Sequence, residues 1–218
     1  MITLLCPSRE RPQSLKRSID TLLSNAAHPV LTEVLVYLDD DDLSNYESIP
    51  STKYVRGPRY GYANLHTAIS KHLIPLATGR WLFLWNDDAY MKTKHWDRVI
   101  EDQDTDNLLF PGHNHPDHEL NVFPVIPKKW VDVAGWSKNG ANDTWWQVVA
   151  KMIDREVKVP IDILHDREDL TGGHKDATRA GNNYDSKTFF NQDNYGMMGF
   201  AAGRIYERFY EGRMDRTR

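Results

Sequence analysis

The stretch Trp81–Met91, WLFLWNDDAYM, drives five large apolar residues straight into Asn86-Asp87-Asp88. A continuous apolar run of this kind suits a strand covered on both faces, as in parallel sheets flanked by helices. Two carboxylates at its carboxyl end would then stand where open α/β sheets bind ligands. The segment before it, YANLHTAISKHLIPLA, spaces Leu65, Ala68, Ile69 and Leu73 on one helical face, and Thr78-Gly79 stops it.

Further upstream the pattern repeats. ITLLC is a short apolar run followed by the turn PSRERP. QSLKRSIDTLLSNA sets Leu15, Ile19, Leu22 and Leu23 on one helical face, EVLVYL runs into four aspartates, and KYVRG reads as a shorter strand. The order β-α-β-β-α-β predicts an α/β chain with a Rossmann-like, mostly parallel open sheet. Three strand ends carry polar groups: Ser8 and Arg9, Asp39 to Asp42, and Asn86 to Asp88. Three separate segments therefore deliver charge to one rim.

The second half is less regular. NLLFP and NVFPVIP read as strands, KKWVDVAGW as a short helix closed by Gly135, and NDTWWQVVAKMIDREV as an amphipathic helix. VPIDILH is a late strand ending at His165. Residues 166–194 are rich in Asp, Gly, Asn and Thr and read as one long loop. The C-terminal RIYERFYEGRMDRTR has five arginines against Glu207, Glu211 and Asp215 and reads as a solvated helix with a frayed end. One domain over 1–218 is expected, with a ligand-binding half (1–90), a second half (91–165), and a loop with a helical tail (166–218).

Composition narrows the classes. The 218 residues include one cysteine, Cys6, so no internal disulfide framework exists and a reducing, cytoplasmic setting is expected. No segment approaches the ~20 apolar residues of a membrane-spanning helix, and the first residues lack the pattern of a secretory signal. The net charge of −4 gives no global electrostatic case for nucleic acid.

Candidate chemistry starts at Asn86-Asp87-Asp88. A strand-end acidic pair suits a hard divalent cation, which takes oxygen ligands and shares them with phosphates. It equally suits a turn or helix cap. Asp143, beside Asn142 at a helix start, is a good N-cap and also a carboxylate fixed on a rigid element. His113, His115 and His118 in GHNHPDHEL do not match helical zinc spacing and have no cysteine companion. Trp130, Trp136, Trp145 and Trp146 can fill a core or stack on a sugar or base.

In sequence order, these segments resemble the GT-A nucleotide-sugar glycosyltransferases, especially family-2-like inverting enzymes of compact phage and viral type. ITLLCPSRERP resembles their opening strand and turn, EVLVYLDDDD the second strand with its acidic end, and GYANLHTAISKHLIPLATGRWLFLWNDD the approach to a DxD-type motif. FPVIPKKWVDVAGW resembles the acceptor-side segment more loosely, and NDTWW the helix start that supplies the base.

The resemblance implies roles residue by residue. Asp88 would be the principal ligand of Mn2+ or Mg2+. Asn86 stands where the family commonly has its first Asp, near ribose and sugar, with Asp87 able to compensate. Asp39 would contact the nucleobase or ribose, Pro7, Ser8 and Arg9 would line the base pocket, and Arg59 would contact the nucleotide. Asp143 would be the general base. His165 would complete the metal or diphosphate shell, imidazole being better suited to manganese than to magnesium. His174 and Lys175 would close over the diphosphate. The implied donor is a nucleotide-diphosphate sugar, UDP by default. The implied acceptors are a cell-surface glycan, a protein, or a hydroxymethylpyrimidine in phage DNA. A nucleotidyltransferase competes poorly, since no glycine precedes Gly57 to build a phosphate-binding loop. A carbohydrate-binding module without turnover is the other alternative, favoured only by Asn86.

Overall fold

The computed structural model describes residues 1–172 and 191–211. One sheet organises the chain. β1 (Ile2–Ser8) lies between β2 (Thr32–Asp39) and β4 (Trp81–Leu84), and β3 (Thr52–Gly57) flanks β2; all three pairings are parallel. The second half adds β5 (Ala89–Met91), β6 (Leu108–His113), β7 (Val125–Pro127) and β8 (Glu156–His165). The order is β3-β2-β1-β4-β7-β6-β8-β5. β7 runs antiparallel to β4 and β6, and β5 antiparallel to β8, while β6 and β8 are parallel. The sheet is thus parallel through the first half, as expected, and mixed through the second.

Period-two alternation sends side chains of the central strands to two cores. Leu4, Cys6, Val36, Phe83 and Trp85 face one, against Leu15, Ile19 and Leu22 of α1 (Pro12–Asn25) and Trp96 and Ile100 of α3 (Trp96–Glu101). Leu5, Leu35, Tyr37, Leu82 and Leu84 face the other. That second core is closed by α4 (Lys128–Ala134), α5 (Asn142–Met152) and α7 (Gln192–Phe209). Burial on both faces explains the continuous apolar run Trp81–Trp85.

Several expectations change in the details. The helix expected across residues 62–77 is a 3₁₀ turn (Tyr62–Asn64), a single α-turn (α2, Leu65–Ala68), a π segment (Ile69–Leu73) and another 3₁₀ turn (Ile74–Leu76). Pro75 lacks an N–H and its ring crowds the preceding turn, which disrupts regular α bonding there. Gly79 stops this run for a packing reason. A Cβ there would sit 2.6 Å from the Thr3 nitrogen, and its N–H donates to Thr3 Oγ1 at 2.9 Å.

Both described ends of the stretch read as one long loop, residues 166–194, carry helix. A one-turn helix, α6 (Glu168–Thr171), follows β8, and α7 begins at Gln192 with Asn191 Oδ1 accepting from Asn194 N. Nor is the C-terminal helix merely solvated. Met198, Ala201, Ala202 and Ile205 are buried, and Tyr210 Oη accepts from Trp130 Nε1 (3.1 Å) and donates to the Asp106 carbonyl (2.8 Å).

Candidate active site

The carboxyl ends of β1, β2 and β4 open into one cleft, whose far wall is the start of α5 and the end of β8. Pro7, Ser8, Arg9, Asp39, Arg59, Asn86, Asp87, Asp88, Asp143 and His165 all line it. Arg11, Tyr62, Asn142 and Arg167 join them. Lys175 and His174 lie outside the described residues.

Three of the four aspartates at the end of β2 have different fates. Asp39 faces the cleft, and its Oδ2 accepts from Arg9 Nη1 at 3.0 Å. Burial pushes the Asp39 carboxyl up, and Arg9 offsets only part of that. Exposed Asp41 holds the other side of Arg9, and Arg59 stands 3.8 Å from it. Asp42 turns inward and accepts from Glu10 N, Ser44 N and Tyr46 Oη, at 2.7 to 2.9 Å. It is a structural pin between the first two rim loops and not a ligand contact.

The acidic pair after β4 divides in the same way. Asp87 accepts from Ser8 Oγ at 2.7 Å and from Arg11 Nη1 at 3.0 Å. Both of its oxygens are thus engaged in joining the β1 turn to the β4 end. Asp88 Oδ1 lies 3.0 Å from His165 Nε2, and Asp88 Oδ2 lies 3.5 Å from Arg11. Burial pushes the Asp88 carboxyl up, but His165 and Arg11 outweigh it and hold the group below its ordinary range.

His165 arrives through an irregularity in β8. The β6–β8 register passes from Pro111↔Val159 to Gly112↔Asp162, leaving Pro160 and Ile161 extra on β8. Proline has no N–H to contribute to a ladder, so a bulge is where a strand tolerates it. The bulge re-aims the last residues of β8 toward the rim. Buried His165 Nδ1 has no hydrogen-bond partner among the described residues. Nε2 is the nitrogen that meets Asp88. Asn86 Nδ2 lies 3.2 Å from the same nitrogen; turning the amide over would set its carbonyl oxygen there instead.

That geometry fits a divalent cation. Two cis ligands of an octahedral ion, each at about 2.1 Å, are separated by about 3.0 Å, which is the Asp88–His165 spacing. The Asn86 carboxamide, turned to present its oxygen, would be a third ligand beside them. Among the described residues no group of three or more His, Cys, Asp or Glu is placed to hold a metal ion. The protein would supply part of a shell and leave the rest to phosphate and water, as is usual for Mg2+-type sites.

Asp143 differs from its expected role as a cap. Ala141 occupies the N-cap position of α5, and Asp143 lies in the first turn. Asn142 Oδ1 instead accepts from Trp136 Nε1 (2.7 Å) and Ser137 Oγ (2.5 Å), which fixes the loop before the helix. Burial pushes the Asp143 carboxyl up, against bonds from the Thr144 backbone and hydroxyl and the field of His165.

The histidine-rich loop is a chain of local turns. His113 Nδ1 accepts from His115 N, His115 Nδ1 from Asp117 N, and Asp117 Oδ1 from Glu119 N. His113 Nε2 bonds the Leu120 carbonyl. Both His113 nitrogens are therefore occupied, which explains the motif without a metal. Trp130, Trp136, Trp145 and Trp146 are all buried in the second core, so none offers a stacking platform.

Arg11 was not anticipated. It stands between a strand turn and Pro12, the first residue of α1, a position that holds a residue at the rim. Arg167 follows the end of β8 and carried no pattern of its own.

No known protein-family signature matches the chain, and no curated protein sequence matches it. Solved structures do. S. aureus TarS 1–349 in complex with UDP-GlcNAc superposes with a TM-score of 0.64 at 11% identity, covering 94% of this chain and 66% of that one. TarS 1–349 in complex with UDP gives 0.55 at 10% identity over 75% and 59%. The mannosyltransferase PcManGT from Pyrobaculum calidifontis in complex with GDP-Man and Mn2+ gives 0.55 at 9% identity over 97% and 75%. The chain spans slightly less than two thirds of the first TarS fragment. Similarity at this level of identity is a likeness of fold: the chain has the mixed α/β architecture of GT-A-like glycosyltransferases.

Proposed function

We propose that this chain is a metal-dependent inverting glycosyltransferase. It would transfer a sugar from a nucleotide-diphosphate sugar to an acceptor hydroxyl. The observation that carries this reading is the Asp88–His165 pair on the same cleft as the elevated carboxyl of Asp143. One feature can hold a metal diphosphate, and the other can accept a proton.

In this reading Asp88, His165 and the Asn86 carbonyl hold the cation, which when bound neutralises charge growing on the diphosphate. Asp39, Arg9, Arg59, Pro7 and Ser8 bind and orient the nucleotide. Asp87 acts through Ser8 and Arg11, keeping the two strand ends in register. The acceptor oxygen bonds to the anomeric carbon as its proton passes to Asp143. The bond from that carbon to the diphosphate breaks, and the leaving group takes the electron pair. A carboxyl raised by burial is a better base than an ordinary aspartate.

UDP is the default nucleotide, supported by the likeness to TarS bound to UDP and UDP-GlcNAc. GDP is the alternative the mannosyltransferase suggests. The acceptors to compare are a glycan, a protein hydroxyl and a hydroxymethylpyrimidine in DNA. The DNA acceptor rests on the viral resemblance alone, and the cleft arginines Arg9, Arg11 and Arg59 all face carboxylates. No helix among the described residues is long and apolar enough to cross a membrane.

The test is donor turnover over a panel of UDP- and GDP-sugars with Mn2+, with Mg2+ and with chelator. The expected result is metal-dependent release of nucleoside diphosphate from one donor. Turnover unchanged by chelator would overturn the metal role. Mass spectrometry of glycans, protein and hydroxymethylated DNA incubated with that donor then identifies the acceptor.

A further inference from the structure

We infer that Asn114 is a positioning residue for His165, tying the histidine-rich loop to the metal side of the cleft. The inference rests on the glycosyltransferase reading above.

The β6–β8 ladder ends at His113↔Ile163. One residue further, a side chain replaces the missing strand. Asn114 Oδ1 accepts from the His165 backbone N–H at 2.8 Å, and Asn114 Nδ2 donates to the His165 carbonyl at 3.1 Å. A carboxamide presents one donor and one acceptor side by side, the same pair a peptide group offers, so it can close both bonds on one residue. The opposite edge of β8 pairs with β5 through Ala89↔His165, and Asp166 N donates to the Asp88 carbonyl at 2.9 Å. The backbone of His165 is thereby held from both sides, while its ring edge is left to Asp88 and Asn86.

The loop that carries Asn114 is itself constrained. The chain of turns from His113 to Glu119 shapes it, and Gln147 of α5 fastens its far end. Gln147 Oε1 accepts from Asn121 N (3.0 Å) and Gln147 Nε2 donates to the Glu119 carbonyl (2.6 Å). Gln147 lies one turn after Asp143 on the same helix. A single loop therefore links the helix that bears the base with the strand end that bears the metal-side histidine. His113, His115 and Asn114 have a shared role: the first two shape the loop, and the third fixes His165.

Binding of Mn2+ to the full chain with UDP present, followed by electron paramagnetic resonance of the free ion, tests this. Asn114→Ala should weaken Mn2+ binding about 10-fold or more, as loss of outer-shell support generally does. UDP affinity in chelator should stay near wild type, a split that general loosening of the fold would not produce. Asn114→Asp keeps the acceptor for the His165 N–H but sets a carboxylate against its carbonyl, so it should not restore affinity. Glu119→Ala, on the exposed part of the same loop, should bind Mn2+ as wild type does. Equal Mn2+ affinity in wild type and Asn114→Ala overturns the inference and leaves the metal reading intact. Absence of Mn2+ binding in wild type overturns both. If Asn114→Ala does not fold, wild-type affinity in Asn114→Asp overturns the inference.

Discussion

Asp88 Oδ1 and His165 Nε2 face each other across 3.0 Å, at the ends of two strands separated by most of the second half of the chain. In the proposed function, these two atoms would be the protein's ligands to the cation. Asp88→Ala should leave the fold intact and lower metal-dependent turnover about 100-fold or more, the scale of losing a principal electrostatic stabiliser. Steady-state kinetics over a Mn2+ titration checks it. Near-normal turnover in this variant would remove Asp88 from the metal site.

Asp143→Asn should retain donor binding and lose about 10²- to 10⁴-fold in turnover, the usual contribution of a general base. Its stability effect should run the opposite way. A carboxyl whose pKa is raised on folding destabilises the native state as pH rises through its unfolded value, and fully so above its folded value. The amide carries no such penalty, so Asp143→Asn should melt higher than wild type near neutral pH. The two melting temperatures should converge in acid. In wild type, the acidic limb of the rate profile should lie above the ordinary aspartate range, as burial of Asp143 requires.

Asp42 predicts an acid transition. Burial pushes its carboxyl up, but the Glu10 N–H, the Tyr46 hydroxyl and the Ser44 N–H outweigh that and hold it at about 2. The resulting stability is fully present above its unfolded value near 3.9 and is lost as pH falls through the folded value. Its size is about 2 kcal/mol. Asp42→Asn should lose a comparable amount at pH 7 and show a flatter stability profile between pH 4 and 2. Denaturant melts across that window measure both.

Tyr210→Phe should destabilise the chain by about 1–3 kcal/mol, since it leaves the buried Trp130 Nε1 and the Asp106 carbonyl without this partner. Donor turnover at low temperature should be unchanged, because the contact lies in the second core, away from the cleft. Chemical denaturation and donor kinetics on the same sample separate the two.

The sequence by itself determined the parallel half of the fold. Apolar runs such as Leu4–Cys6, Val34–Leu38 and Trp81–Trp85 have one stable setting, buried on both faces, and their polar ends then meet at one rim. Much of the cleft was legible for that reason, since Ser8, Arg9, Asp39, Asn86 and Asp88 sit directly at strand ends. β5 spans only three residues and has too little periodicity to announce itself. The tertiary structure alone decided which aspartate of each cluster serves as a structural pin. Asp42 and Asp87 are locally equivalent to Asp39 and Asp88, and partners from distant segments (Glu10 for Asp42, Ser8 and Arg11 for Asp87) help turn them into structural pins. It also decided the aim of His165, through a bulge at Pro160 and a carboxamide from another loop. Strand burial is local hydrophobic patterning, which one segment can specify. The orientation of a buried polar group is set by which donors and acceptors reach it, and those come from far along the chain.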